Sequence, residues 1–61
     1  MYTYKIYQDE KLVKEFNNQS SDSNVFGWLL RNQGQSVSWA LKHGGWRVDV
    51  INEETNELTP Y

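Results

Sequence analysis

Apolar and polar residues alternate near both ends of this chain and follow a helical period between them. From Tyr2 to Tyr7, Tyr2, Tyr4 and Ile6 fall on one side and Thr3, Lys5 and Tyr7 on the other. That is the two-residue repeat of a strand with one covered face. The polar run Gln8-Asp9-Glu10-Lys11 reads as a turn, and Leu12–Phe16 as a second strand, so residues 2–17 predict a β-hairpin. Asn17–Asn24 is loop and helix-start material, in which Ser21, Asp22 and Ser23 each carry an oxygen that could accept from a first-turn N–H. A helical segment is expected from about Asn24 to the Gly44-Gly45 pair, with Lys42 and His43 where a helix C-terminus favours positive charge. Trp46, Val48 and Val50 then alternate along a third strand. Glu53-Glu54-Thr55-Asn56 reads as a turn, and Glu57–Tyr61 as a short last strand or a tail, with Pro60 suited to an edge.

The order is ββαβ with a short optional fourth strand. It predicts a single α+β domain over residues 1–61, with a mostly antiparallel sheet of three or four strands. One kinked helix or two short helices would cover one face. The expected core is Tyr4, Ile6, Leu12 or Val13, Phe16, Val25, Phe26, Leu29, Leu30, Val37, Leu41, Trp46, Val48 and Val50.

The helical segment can be read in two ways. On a continuous wheel of roughly 100° per residue, Val25, Leu29, Ala40, Phe26, Val37, Leu30 and Leu41 share an arc of about 160°. Trp28 and Trp39 then lie within about 20° of each other, on the flank of that stripe. Gln33 and Ser36 intrude on it, however, and Gly34 costs a helix roughly 1 kcal/mol relative to Ala. An interruption at residues 33–36, with Ser36 capping the second piece, resolves the conflict.

Sixty-one residues place the chain near the lower size limit for independent folding. With no cysteine there is neither a disulfide nor a thiolate zinc site to staple it. Stability must come from packing, and three Trp, four Tyr and two Phe supply bulky apolar area. No apolar run is long enough to span a bilayer, and Met1–Lys11 lacks the basic start and apolar centre of a signal peptide. These features lead us to expect a soluble, cytoplasmic protein without a membrane partner.

The net charge of −2 is unevenly spread. Residues 23–48 hold Arg31, Lys42 and Arg47 and no acid, whereas residues 49–61 hold Asp49, Glu53, Glu54 and Glu57 and no base. Candidate chemistry is sparse. His43 is the only histidine, so neither a Cys–His pair nor a Ser–His–acid triad has its parts, and no metal or cofactor is expected. His43-Gly44-Gly45 lacks the Lys and Ser/Thr of a phosphate-binding loop. The residues predict a non-enzymatic binding module instead, with Trp28, Arg31, Trp39 and Lys42 facing a protein partner of acidic character. The alternative is a helix–turn–helix-like nucleic-acid binder using Gln35, Ser36, Lys42 and Arg47 in the segment 31–47. Against it stand the bulk of Trp28 in the first helix and only three cations for phosphate neutralisation. A third arrangement, with Tyr2, Tyr4, Tyr7 and Trp46 stacking on single-stranded bases, has no supporting motif. The chain is read as a monomer or a homodimer, since strand edges and tryptophans both offer self-association surfaces.

Ser36–Val48, following the Lys5–Phe16 hairpin, resembles small, mostly uncharacterised proteins of phages and mobile elements of Gram-positive bacteria. The shared features are a lysine-bearing hairpin, an aromatic helix, then Gly-Gly-Trp and a strand. The resemblance implies a protein made in a bacterial host cytoplasm that binds and modulates or inhibits a host factor.

Overall fold

The computed structural model describes residues 1–61. The chain folds as β1 (Tyr2–Gln8), β2 (Lys11–Gln19), α1 (Ser23–Gln33), α2 (Val37–His43), β3 (Trp46–Asn52) and β4 (Leu58–Pro60). All strand pairs are antiparallel, and the sheet order is β2-β1-β3-β4. The first strand is therefore central, and two helices cover one face.

Asp9 and Glu10 connect β1 to β2 with φ values of 50° and 71°, the paired positive angles of a type I′ hairpin turn. Such a turn matches the twist of its strands, and the chain holds it from outside: the Asp9 N–H donates to the Gly45 carbonyl at 3.0 Å. Gly45 itself has φ 77°, and a Cβ there would lie 2.5 Å from Asp9 Oδ1. The glycine thus serves both its own left-handed backbone and the approach of the hairpin turn.

Tyr4 and Ile6 of β1 oppose Val50 and Val48 of β3, which places these side chains on one face of the sheet. Val25 and Leu29 of α1 complete the buried cluster with Tyr4, Ile6 and Val48. The buried Ala40 brings α2 close, and Phe16, Phe26, Trp28, Val37, Leu41, Trp46 and Val50 pack around the rim.

Two expectations about the core do not hold. Leu12 is 50% exposed and Val13 is also in solvent. The register explains this: Ile6 opposes Lys14 but Tyr7 opposes Leu12, so one extra residue is accommodated in β2. This β-bulge shifts the alternation and delivers Leu12 to the uncovered face. Leu30 is 56% exposed. Within α1 it stands about 100° from Leu29 and about 140° from Val25, the two buried residues, at the outer edge of the stripe.

The uncovered face is sealed by its own polar side chains. The Arg47 guanidinium lies 4.2 Å over the Tyr7 ring and pairs with Glu10 at 3.1 Å and Asp49 at 3.5 Å. Thr3 and Asp49 are buried there without an unsatisfied side-chain atom. At the far end of the strands, Glu53 Oε2 accepts from Thr3 Oγ1 and from the Asn18 N–H, each at 2.8 Å. Thr3 Oγ1 also lies 3.1 Å from the Asn17 carboxamide. The nearer atom of that carboxamide is its Oδ1, so the hydroxyl's single proton faces two acceptors, with the Glu53 carboxylate the closer. The two hydrogen bonds hold the Glu53 carboxyl below the usual carboxylate range, the Asn18 N–H contributing most and the Thr3 hydroxyl next.

Residues after β3 are less frayed than their sequence suggests. Asn52 Oδ1 accepts from the Glu54 N–H at 3.0 Å, an Asx-type turn, and Leu58–Pro60 then pair with β3. Tyr61 ties this edge to α1: its hydroxyl donates to Asp22 Oδ2 at 2.9 Å, and its ring meets Phe26 edge-on at 5.1 Å. Asp22 stands at the N-cap position of α1 but makes no side-chain cap bond. Its carboxylate is committed to Tyr61, which corrects the expectation that Ser21, Asp22 or Ser23 caps this helix. Ser21 and Ser23 bond each other at 3.1 Å.

Candidate docking face on the helical layer

Gly34 ends α1 in the left-handed conformation, with φ 75°, and a Cβ at this position would meet no atom within 4 Å. It is selected for backbone freedom alone. Gln33 brackets the break by accepting from the Gln35 N–H at 2.7 Å and donating to the Gln35 carbonyl. Ser36 then starts α2 in extended geometry, and its Oγ accepts from the Trp39 N–H at 3.2 Å. The interruption read from the sequence is a full separation into two helices.

Separation breaks the phase that aligned the two tryptophans. Trp28 is half-buried, packs against the core cluster and meets Trp46 edge-on at 6.1 Å and 72°. It belongs to the wall of the core, not to a shared outward pair. Trp39 is 48% exposed. It lies on the solvent side of a helix whose Ala40 is buried and whose Val37 and Leu41 are half-buried.

The Trp39 ring is held by its surroundings. A Cβ on Gly44 would approach Trp39 Cζ3 to 3.2 Å and the Ala40 carbonyl oxygen to 3.1 Å, so the indole lies across a backbone that a side chain would crowd. One turn on, the His43 ring is centred 6.1 Å away, tilted by 50°. Lys42 is exposed, and at 100° per residue it falls within about 60° of Trp39 on the helix surface. Trp39, Lys42 and His43 thus form a contiguous outward face of α2. His43 joins it through the i, i+4 spacing to Trp39, a signal present in the sequence but overshadowed by its position at the helix end.

Arg31 is exposed on α1, with its guanidinium near the space over Gly27: a Cβ there would be 3.4 Å from Arg31 Nη1. Leu30 is exposed beside it in sequence. Of the four residues expected to face a partner, Arg31, Trp39 and Lys42 are solvent-exposed on the helices, and Trp28 is drawn inward. The other set is divided. Gln35 and Ser36 are exposed at the start of α2, and the Ser36 hydroxyl is occupied by its cap bond. Arg47 faces the opposite side of the sheet, paired with acids. Gln35, Ser36, Lys42 and Arg47 therefore do not share a face.

The groups with displaced titration lie outside α1 and α2. Burial and the Asp22 carboxylate raise Tyr4, while burial and the hydrogen bond to Asp22 raise Tyr61; Glu53 is lowered as described. No three His, Cys, Asp or Glu side chains are placed to share a metal ion, and the surface has no pocket. No helix is long and apolar enough to cross a membrane.

Fold and surface together define a small α+β domain whose four-stranded antiparallel sheet carries a helical layer with one exposed indole. Comparison with known protein families, curated proteins and solved structures finds no match for the chain.

Proposed function

We propose that this protein is a non-enzymatic binding module that docks a protein partner through its helical layer, with Trp39 as the anchor. The observation that carries the reading is the exposed, positioned indole. A tryptophan left half in solvent forgoes burial that a core of so few residues needs, while its ring lies against Gly44 with His43 beside it. Aromatic anchors of this kind dominate interface energies because they bury a large rigid surface at little entropic cost. Lys42 supplies a cation beside the anchor on α2 and Arg31 a second exposed cation on α1; Trp28 supports the layer from within. The resemblance to small phage and mobile-element proteins implies a partner that is a bacterial host factor, blocked or modulated by occupation of its surface, and a site of action in the host cytoplasm.

The test compares baits in a quantitative pull-down from bacterial lysate: wild type, Trp39→Ala, and the sheet-side control Val13→Ala. A partner retained by wild type and Val13→Ala but reduced at least tenfold by Trp39→Ala supports docking at α2, tenfold being about 1.4 kcal/mol. Equal retention by all three overturns it. Circular dichroism must show the Trp39→Ala domain folded, with a stability change within about 1 kcal/mol, as expected for an exposed helical position.

A further inference from the structure

We infer that the segment docking on this face is acidic, a peptide whose carboxylates flank an apolar side chain that covers Trp39; the inference rests on the docking reading above. Its ground is the distribution of paired and unpaired charge. Both ion pairs of the molecule belong to Arg47, on the sheet face away from the helices. Lys5, on that same face, is opposed by Glu15 on one side and Asp49 on the other. Lys11 and Lys14 on the edge strand β2 form no ion pair, but Glu10 and Glu15 stand next to them in the chain, so the sheet carries acids among its cations.

The helical layer has none. Arg31 and Lys42 are exposed and form no ion pair, and no Asp or Glu occurs from Ser23 to Val48. The flanking acids are already engaged, Asp22 by the Tyr61 hydroxyl and Asp49 by Arg47. In a chain of net charge −2, two uncompensated cations thus share the layer that presents the exposed indole. An acidic segment gains attraction from these charges, whereas a basic one meets only repulsion there, which gives selectivity as well as a faster encounter.

A random-peptide display library panned on three baits tests this. Wild type should enrich peptides in which Asp or Glu flanks a large apolar residue. Lys42→Glu should lose that acidic preference, and Trp39→Ala should lose enrichment altogether. Peptides that need Trp39 but are neutral or basic would overturn the acidic partner and leave docking at α2 standing. Enrichment indifferent to Trp39, or no enrichment on wild type, would overturn both. Capture of a duplex DNA probe at low salt, in competition with the selected peptides, would assign the cations to phosphate and also overturn the inference.

Discussion

The carboxylate of Glu53 is bonded to a side chain of β1 and to the backbone of β2, while its own N–H donates to the Met1 carbonyl at 3.2 Å. It is the one residue that fastens the β3–β4 turn to both strands of the hairpin. Because its carboxyl titrates below the ordinary value when folded, its contribution is present above the unfolded pKa and is lost as pH falls through the folded one. Thermal midpoints measured across the acid range should therefore fall in wild type, and Glu53→Gln should flatten that limb; an unchanged acid limb would show that the contact contributes nothing. Tyr61 acts in the other direction. Its raised pKa places its contribution below the unfolded value, and that contribution is lost as pH rises through the folded value and the phenolate meets Asp22. Tyr61→Phe should reduce the alkaline loss but not abolish it, since Tyr4 is raised as well. Neither contact was legible in the sequence: residues 3, 18 and 53, or 22 and 61, meet only once the strands are in register.

Among the elements, the junction of α1 and α2 was the most legible part. Gly34 and Ser36 have strong local roles, a left-handed helix end and an N-cap, that act whatever the rest of the chain does. Ser36→Ala should cost about 1 kcal/mol in urea unfolding and leave α1 intact. Gly45→Ala should cost about 1–2 kcal/mol, because an L residue at φ 77° strains its own backbone. A part of that cost should disappear in the Asp9→Ala background, where the carboxylate facing the new Cβ is gone. An additive double mutant would show that the contact with the hairpin turn is slack. The bulge at Val13 was hidden for the opposite reason. Lys11–Phe16 alternates well enough as a plain strand, and the extra residue is visible only against β1, so the exposure of Leu12 could not be read from β2 alone. The same holds for the docking face. Trp39 stays outside because Ala40 goes inside, and Trp28 turns inward because Trp46 is there to meet it.

For the whole molecule, size decides how differently the two tryptophans should behave. Only eight residues are buried, and a domain this small rarely has more than about 3–5 kcal/mol of stability from its core. Removing the half-buried Trp28, which takes away the edge-on partner of Trp46 and part of the packing on the core cluster, belongs with large-to-small substitutions that cost roughly 3 kcal/mol or more. That is most of what the domain has, so Trp28→Ala should be largely unfolded at room temperature while Trp39→Ala is folded. Their far-ultraviolet spectra separate the outcomes, and a folded Trp28→Ala would mean that Trp46 packs adequately without it. The sheet edges meet a related constraint. A small core with open strands invites edge pairing, yet β4 is three residues long and contains Pro60, and the other edge strand, β2, carries Lys11, Lys14 and the bulge at Val13. Short length, proline, lysine and bulges are the features that keep edges from joining. Sedimentation should therefore find a monomer over a wide concentration range. Deleting Val13 together with Lys14→Val straightens β2 and removes a charge from its edge, and this variant should associate. If wild type already dimerises and the altered strand changes nothing, the subunits meet through another face, and the exposed indole of α2 becomes the first surface to probe.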